Sequence, residues 1–179
     1  MDRYYYLASS LPLLQFGKRP HIDREYFLNQ AQKWVGARDF AILCQADINE
    51  FSDKKKSTGL LREYDNFERL LREELKFIRA RRGQDIDYTS LRQVSASVLE
   101  GTPLEVERKL LFLRWQFIEE KELGHYFDLE FLGLYFLKLQ ILERLFSFDK
   151  QKGEAAFDRL TEVSPVRDNQ ALAGNKPTL

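Results

Sequence analysis

The sequence predicts an all-α fold, an antiparallel helical bundle with a short extended N-terminal segment. Glycine and proline are scarce, at 9 and 5 of 179 residues, and they stand mainly between segments of helical periodicity. The most apolar run, FLGLYFLKLQIL at 131–142, is typical of a helix that is covered on several sides. We expect one helical domain over 1–163 and a disordered tail over 164–179, where no periodic apolar face is found.

The first elements are short. The three tyrosines of YYYLASSL, at 4–11, favour an extended segment that ends at Pro12. Asp23 is placed to cap a helix that runs to about Trp34. A second short helix is predicted over about 38–46, and the polar run DKKKSTG at 53–59 is predicted to be a loop.

A long helix is predicted over about 58–82. Apolar side chains recur there at helical spacing, and on the outer side Asp65 precedes Arg69, and Glu68 precedes Arg72, by four residues. A further helix is predicted over about 89–100.

Two more long helices are predicted to form a hairpin. Thr102 and Glu105 match a capping box that starts a helix over about 103–123. Gly124 ends it, and Asp128 caps the next helix, over about 129–147. A connection this short requires the two helices to be antiparallel neighbours. A last helix is predicted over about 149–163.

The apolar run 131–142 is a poor membrane span. A spanning helix needs about 20 predominantly apolar residues, whereas this run is interrupted by Lys138 and followed by Glu143 and Arg144. The chain also has no N-terminal pattern typical of a secretory signal and a single cysteine, Cys44, which we expect to be a small core residue. These features predict a cytoplasmic protein without membrane insertion.

The sequence contains no pattern that indicates a catalytic, cofactor-binding or metal site. The net charge is zero, which disfavours a nucleic-acid partner. Glu119, Glu120, Glu122 and His125 stand close in sequence, but consecutive helical residues point in different directions. A small helical hydrolase or ligand-binding protein that uses this Glu119–Glu122 and His125 region is kept as an alternative.

Charged residues on the long helices give two further expectations. Arg69, Arg72, Lys76 and Arg79 share one helix face and are candidates for contact with a partner protein. Arg114, Glu143 and Arg144 stand within apolar surroundings, so we expect buried ion pairs, with the partner of Arg114 on another helix.

Three stretches in order resemble a known family. They are YYYLASSLP at 4–12, REYDNFERLLREELKFIRARRGQD at 62–85, and the segment from LRWQFIEEKELGHYF to the end of KGEAAFDRL at 113–160. Together they resemble an uncharacterised bacterial family encoded in operons for V/A-type ATPases. That family is remotely similar to the funnel-like adaptor that seats the central shaft of those rotary pumps on their membrane ring.

The resemblance implies a non-catalytic, all-α adaptor at the central stalk. Its expected partners are other V/A-type ATPase subunits, with no cofactor and no nucleic acid. The expected location is cytoplasmic and peripheral to the inner membrane through the ATPase complex. A helical adaptor of an unrelated complex is a further alternative.

Overall fold

The structure, a computed structural model, describes residues 4–49, 59–81, 91, 93–148, 153, 158 and 159. The fold is all-α, as predicted. The α-helices are α1 (Tyr5–Ser10), α2 (Arg24–Trp34), α3 (Ala37–Leu43), α4 (Gly59–Ala80), α5 (Pro103–Glu122) and α6 (Leu129–Ser147). The chain divides into two compact units, Met1–Ser147 and Phe148–Leu179, and the helices named here lie in the first.

Helix α6 is the centre of the first unit. It contacts α2, α3, α4 and α5, and every residue from Leu132 to Leu142 is buried. Gly133 allows α4 to approach closely, because a Cβ atom at this position would lie only 3.0 Å from Leu61 Cδ2. No helix among the described residues is both long enough and apolar enough to cross a membrane.

The two polar side chains buried in this run are both satisfied. Lys138 forms an ion pair with Glu122 and lies 5.0 Å from the centre of the Trp115 ring. The Gln140 side chain accepts a hydrogen bond from the Ile48 N–H at 3.1 Å and donates one to the Ala46 carbonyl at 2.7 Å. Because buried polar groups are costly when unpaired, these contacts allow α6 to be enclosed over its whole centre.

The α5–α6 hairpin has the ends that the sequence predicts. The Glu105 N–H donates to Thr102 Oγ1 at 3.3 Å, and the Thr102 N–H donates to the Glu105 carboxylate at 2.7 Å, which completes the capping box. Gly124 has a φ of 91°, a conformation that side chains with a Cβ rarely adopt. Asp128 accepts from the Phe131 N–H at 2.9 Å at the start of α6.

The predicted extended segment at 4–11 is wrong. This stretch forms α1, in which Leu7 and Ala8 are buried. The backbone N–H of Tyr4 donates to the Phe127 carbonyl at 3.1 Å, and its hydroxyl donates to Asp39 at 2.5 Å. The strand preference of tyrosine reflects packing on a half-buried surface, so contacts with the rest of the unit decide the local structure here.

The predicted helix at 89–100 is also wrong where the structure describes it. The residues at 91 and 93–95 are not helical, and Ala96–Val98 form a single 3₁₀ turn. The Glu74 carboxylate accepts from the N–H groups of Gln93 and Val94 at 2.9 and 3.0 Å. This segment is thus held to α4 by a side chain that helical periodicity does not reveal.

The other boundaries differ by small amounts. Helix α3 spans Ala37–Leu43 and ends three residues earlier than predicted, and Cys44, which follows it, is exposed and not a core residue. Most of the predicted loop at 53–59, most of the predicted helix at 149–163 and all of the predicted tail at 164–179 lie outside the described residues.

Candidate functional site

The glutamates and the histidine of the alternative hydrolase site do not converge. Glu119 and Glu120 are exposed, and Glu122 is paired with Lys138. His125 Nδ1 lies 2.6 Å from Asp128 Oδ2, within the turn that joins α5 to α6. In the part of the chain that the structure describes, no group of three or more His, Cys, Asp or Glu side chains is arranged to hold a metal ion.

The four predicted contact residues of α4 lie together on its outer face. Arg69, Arg72, Lys76 and Arg79 are all exposed. The adjoining face of α4 is buried in the unit and consists of Leu61, Tyr64, Phe67, Glu68, Leu71 and Leu75. The outer face therefore presents basic groups over about three turns, or ~15 Å at 1.5 Å per residue.

These four residues are not equivalent. Arg72 Nε donates to Glu68 Oε1 at 2.8 Å, and its Nη2 donates to the Asn49 carbonyl at 3.2 Å. Arg69 forms an exposed ion pair with Glu73 at 3.1 Å. Lys76 and Arg79 form no ion pair with a described residue. Arg72 thus helps to hold the segment before α4, whereas Lys76 and Arg79 have no such role among the described residues.

Behind this face lies a buried ion pair that links α4 to α5. Arg114 Nε donates to Glu68 Oε2, and Arg114 Nη2 to Glu68 Oε1, both at 2.9 Å. The Glu68 side chain is 3% exposed and that of Arg114 is 13% exposed. Burial opposes the charge of Arg114, but the hydrogen bonds and negative charge of Glu68 outweigh it and raise the pKa of the guanidinium.

The position of Glu68 differs from the sequence prediction, in which Glu68 and Arg72 form a pair on the outer side of the helix. The carboxylate instead points into the α4–α5 contact and accepts from Arg72 and Arg114 together. Its spacing from Tyr64 and Leu71, four and three residues away, puts it on the buried face. The buried Tyr64 hydroxyl has no hydrogen-bond partner among the described residues, and burial raises its pKa.

Glu143 and Arg144 lie nearer to the surface than predicted. Glu143 pairs with Arg24 of α2 at 2.7 Å, and Arg144 pairs with Glu107 of α5 at 3.0 Å. The Arg144 side chain is 45% exposed, so its pair is not buried. Both residues follow the enclosed centre of α6 in the last turns of the helix, where the cover from neighbouring helices ends.

An exposed row of aromatic rings was not predicted. Trp34 stacks on Tyr6 at 6.0 Å between ring centroids, Tyr6 contacts Tyr5 at 5.9 Å, and Tyr5 contacts Phe127 at 4.8 Å. Tyr6 is 74% exposed and Trp34 57% exposed. The three consecutive tyrosines are the sequence signal for this row, but they were interpreted as an extended segment, in which their rings would not be placed as they are on α1.

The clefts of the described surface are shallow and mixed in chemistry. One of about 430 Å³ lies between α2, the segment after α3, and α6, and Arg24, Asn29, Cys44, Asp47 and Gln140 contribute to its lining. Gln140 is engaged in backbone hydrogen bonds. Cys44 is exposed as a residue, but partial burial of its thiol raises the pKa, which makes the reactive thiolate less available.

Comparison with known proteins gives one result. Residues 78–164 match the family described as "Protein of unknown function (DUF2764)". This part of the chain, which contains α5 and α6, is therefore similar to an uncharacterised family, as predicted; the match carries no statement about a V/A-type ATPase. No curated protein and no solved structure matches the chain.

Proposed function

We propose that this chain is a non-catalytic helical subunit or accessory factor of a bacterial V/A-type ATPase. It acts through protein–protein contacts, as an adaptor at the central stalk, on the cytoplasmic side and peripheral to the inner membrane. The assignment to this ATPase is supported by the resemblance of the three ordered stretches at 4–12, 62–85 and 113–160. Two of those stretches overlap the segment that matches the uncharacterised family.

The adaptor role is carried by one observation, the contrast between the two faces of α4. The buried face uses its carboxylate, Glu68, in an internal ion pair with Arg114. The outer face leaves Lys76 and Arg79 exposed and without such a partner among the described residues. Polar groups fixed inside the bundle make the unit rigid, whereas exposed charged groups on a long helix provide a surface for recognition.

The direct test is co-purification of the full chain, tagged and expressed at its native level in its own host. The expected result is recovery of V/A-type ATPase subunits after mild crosslinking, in amounts that rise with those of the bait. The matched control is the same tag on an unrelated helical protein of similar size. Failure to recover any ATPase subunit from cells that contain the assembled pump would contradict the assignment.

A helical adaptor of an unrelated complex is the second candidate, because the basic face of α4 does not depend on which partner is present. The same experiment separates the two, since it would recover a different set of proteins at constant stoichiometry. The genes that flank the coding sequence would give an independent indication.

A further inference from the structure

We infer that the outer face of α4 binds an acidic helical segment of a partner protein, with Lys76 and Arg79 as the main contacts. The inference deepens the proposed adaptor role and rests on it, because it names the chemistry of the partner at that surface.

Several long basic side chains on the other helices are engaged within the unit. Ion pairs join Arg24 to Glu143, Lys121 to Glu63 and Arg144 to Glu107. Lys109 donates to the backbone carbonyls of Ser97 and Glu100 at 2.7 and 2.8 Å. Lys33 of α2 and Arg38 of α3 are exposed basic residues on two different helices. Lys76 and Arg79 are also exposed, but they lie on neighbouring turns of one helix face and form no ion pair with a described residue.

The charges next to these two residues form an ordered pattern. Arg69, Arg72, Lys76 and Arg79 follow a 3–4–3 spacing, which is the spacing of one helix face. Glu73 lies among them and is paired with Arg69 at 3.1 Å. An exposed pair of this kind contributes about 1 kcal/mol at most, so a partner can exchange it at little cost.

A helix with carboxylates at the same spacing would be complementary to this face. Packed alongside α4, such a helix would bring carboxylates near Lys76 and Arg79, and near Arg69 once its pair with Glu73 is exchanged, over the ~15 Å of this face. A basic residue of the partner helix could form an ion pair with Glu73. Such a pair would fix the register between the two helices, in the way that charges flanking coiled-coil seams select partners.

A protein partner fits this face better than a nucleic acid does. The carboxylate of Glu73 would repel phosphates within the stripe. The ring of Phe77, which follows Lys76 in the chain, has the Arg81 guanidinium at 4.1 Å from its centre and is not free to stack on a base. The net charge of zero also provides no wider basic field to attract a polyanion.

The test uses the full chain and two synthetic helical peptides of roughly 20 residues, long enough to form helix in water. One peptide carries glutamates at the 3–4–3 spacing on one face, and the other has the same composition with the glutamates distributed around the helix. Fluorescence anisotropy at low and at physiological salt gives the affinities. A single-stranded oligonucleotide of similar charge is the third probe.

The variants are matched in charge. Lys76→Glu with Arg79→Glu reverses the two main contacts, and Lys33→Glu with Arg38→Glu reverses two exposed basic residues on α2 and α3. Circular dichroism checks that each variant is folded. We expect the striped peptide to bind, to bind more weakly as salt rises, and to lose about tenfold in affinity with the α4 variant only.

Several results would overturn the inference. They are absence of peptide binding at low salt, equal binding of the two peptides, equal loss with the two double variants, and tighter binding of the oligonucleotide at α4. The proposed function fails separately. If the α4 variant still co-purifies ATPase subunits, the adaptor role stands and this surface is wrong; if the striped peptide binds but wild type recovers no ATPase, the ATPase assignment is wrong.

Discussion

The contact of α2 with α6 and the contact of α4 with α5 are held together by different chemistry. Phe27 of α2 is fully buried and stacks on Tyr135 at 5.7 Å and on Phe136 at 5.1 Å. Between α4 and α5, the Glu68–Arg114 ion pair lies in the same contact as the stacked rings of Phe67 and Phe117, 4.2 Å apart. Truncating a side chain in an apolar contact destabilises the protein by leaving a cavity. Removing one partner of a buried ion pair destabilises it by leaving an unpaired charge.

The difference has a consequence for specificity. Apolar side chains of similar volume can replace one another at moderate cost, so the α2–α6 contact defines its register mainly by shape. The bidentate pair between Glu68 and Arg114 tolerates neither a shift along the helix nor the loss of one partner. It therefore fixes the position of α4, and with it the direction in which Lys76 and Arg79 face.

The largest expected effect comes from a substitution in α6, because this helix contacts α2 as well as α4 and α5. Leu134→Lys places an unpaired charge at a fully buried position of α6. The cost of burying it is comparable with the whole stability of a domain, about 5–15 kcal/mol, so no cooperative unfolding transition should remain. Thermal unfolding followed by circular dichroism measures this. Leu134→Met is the control, and a Leu134→Lys protein that unfolds like wild type would show that α6 is not the core helix.

Phe27→Ala tests the apolar contact. The substitution leaves a cavity between α2 and the rings of Tyr135 and Phe136, and it should lower the free energy of unfolding by about 4 kcal/mol. Urea denaturation gives the value. The neighbouring Tyr26→Ala, at a position that is half exposed, should change it by less than about 1 kcal/mol. Equal losses in the two variants would contradict the buried position of Phe27.

Arg114→Met tests the charged contact. Glu68 would remain buried with only Arg72 to balance it, so we expect a loss of about 3 kcal/mol, the lower end for a broken buried pair. The double variant Glu68→Leu with Arg114→Met should recover most of this loss, because neither charge then remains. Urea denaturation of the two single variants and the double variant gives the coupling energy. Additive losses would show that the two side chains do not interact.

The smallest effect is expected at the start of α5. Thr102→Ala removes the cap and should cost about 1 kcal/mol. Hydrogen bonds from Thr102 lower the pKa of Glu105, so the contribution of this carboxylate is present above the pKa it has in the unfolded chain. It is lost as the pH falls through its lower folded pKa. Glu105→Gln should therefore differ from wild type at neutral pH and converge with it in acid, as measured by urea denaturation. A difference that is independent of pH would contradict this origin.

Local signals predicted the helices whose ends are set by nearby residues. The Thr102–Glu105 box, the glycine at 124 and the caps at Asp23 and Asp128 act within a few residues of the chain, and each is in place. The segments at 4–11 and 93–98 were mispredicted, because Tyr4 contacts Phe127 and Asp39, and Glu74 holds the second segment, across long separations in sequence.

The same distinction applies to the candidate site. The spacing of Arg69, Arg72, Lys76 and Arg79 was enough to place them on one face. Which of them are paired within the unit depends on the positions of Glu68, Glu73 and the Asn49 carbonyl, which no spacing provides.

The sequence by itself determined that this protein is all-α and that its most apolar run forms a central helix, because periodicity and composition express which side chains must leave water. Only the tertiary structure decided that Glu68 is buried, that it pairs with Arg114, and that Lys76 and Arg79 are exposed without an ion pair to a described residue. The reason is physical: the cost of a charge depends on its surroundings, and those surroundings come from helices that are distant in the chain.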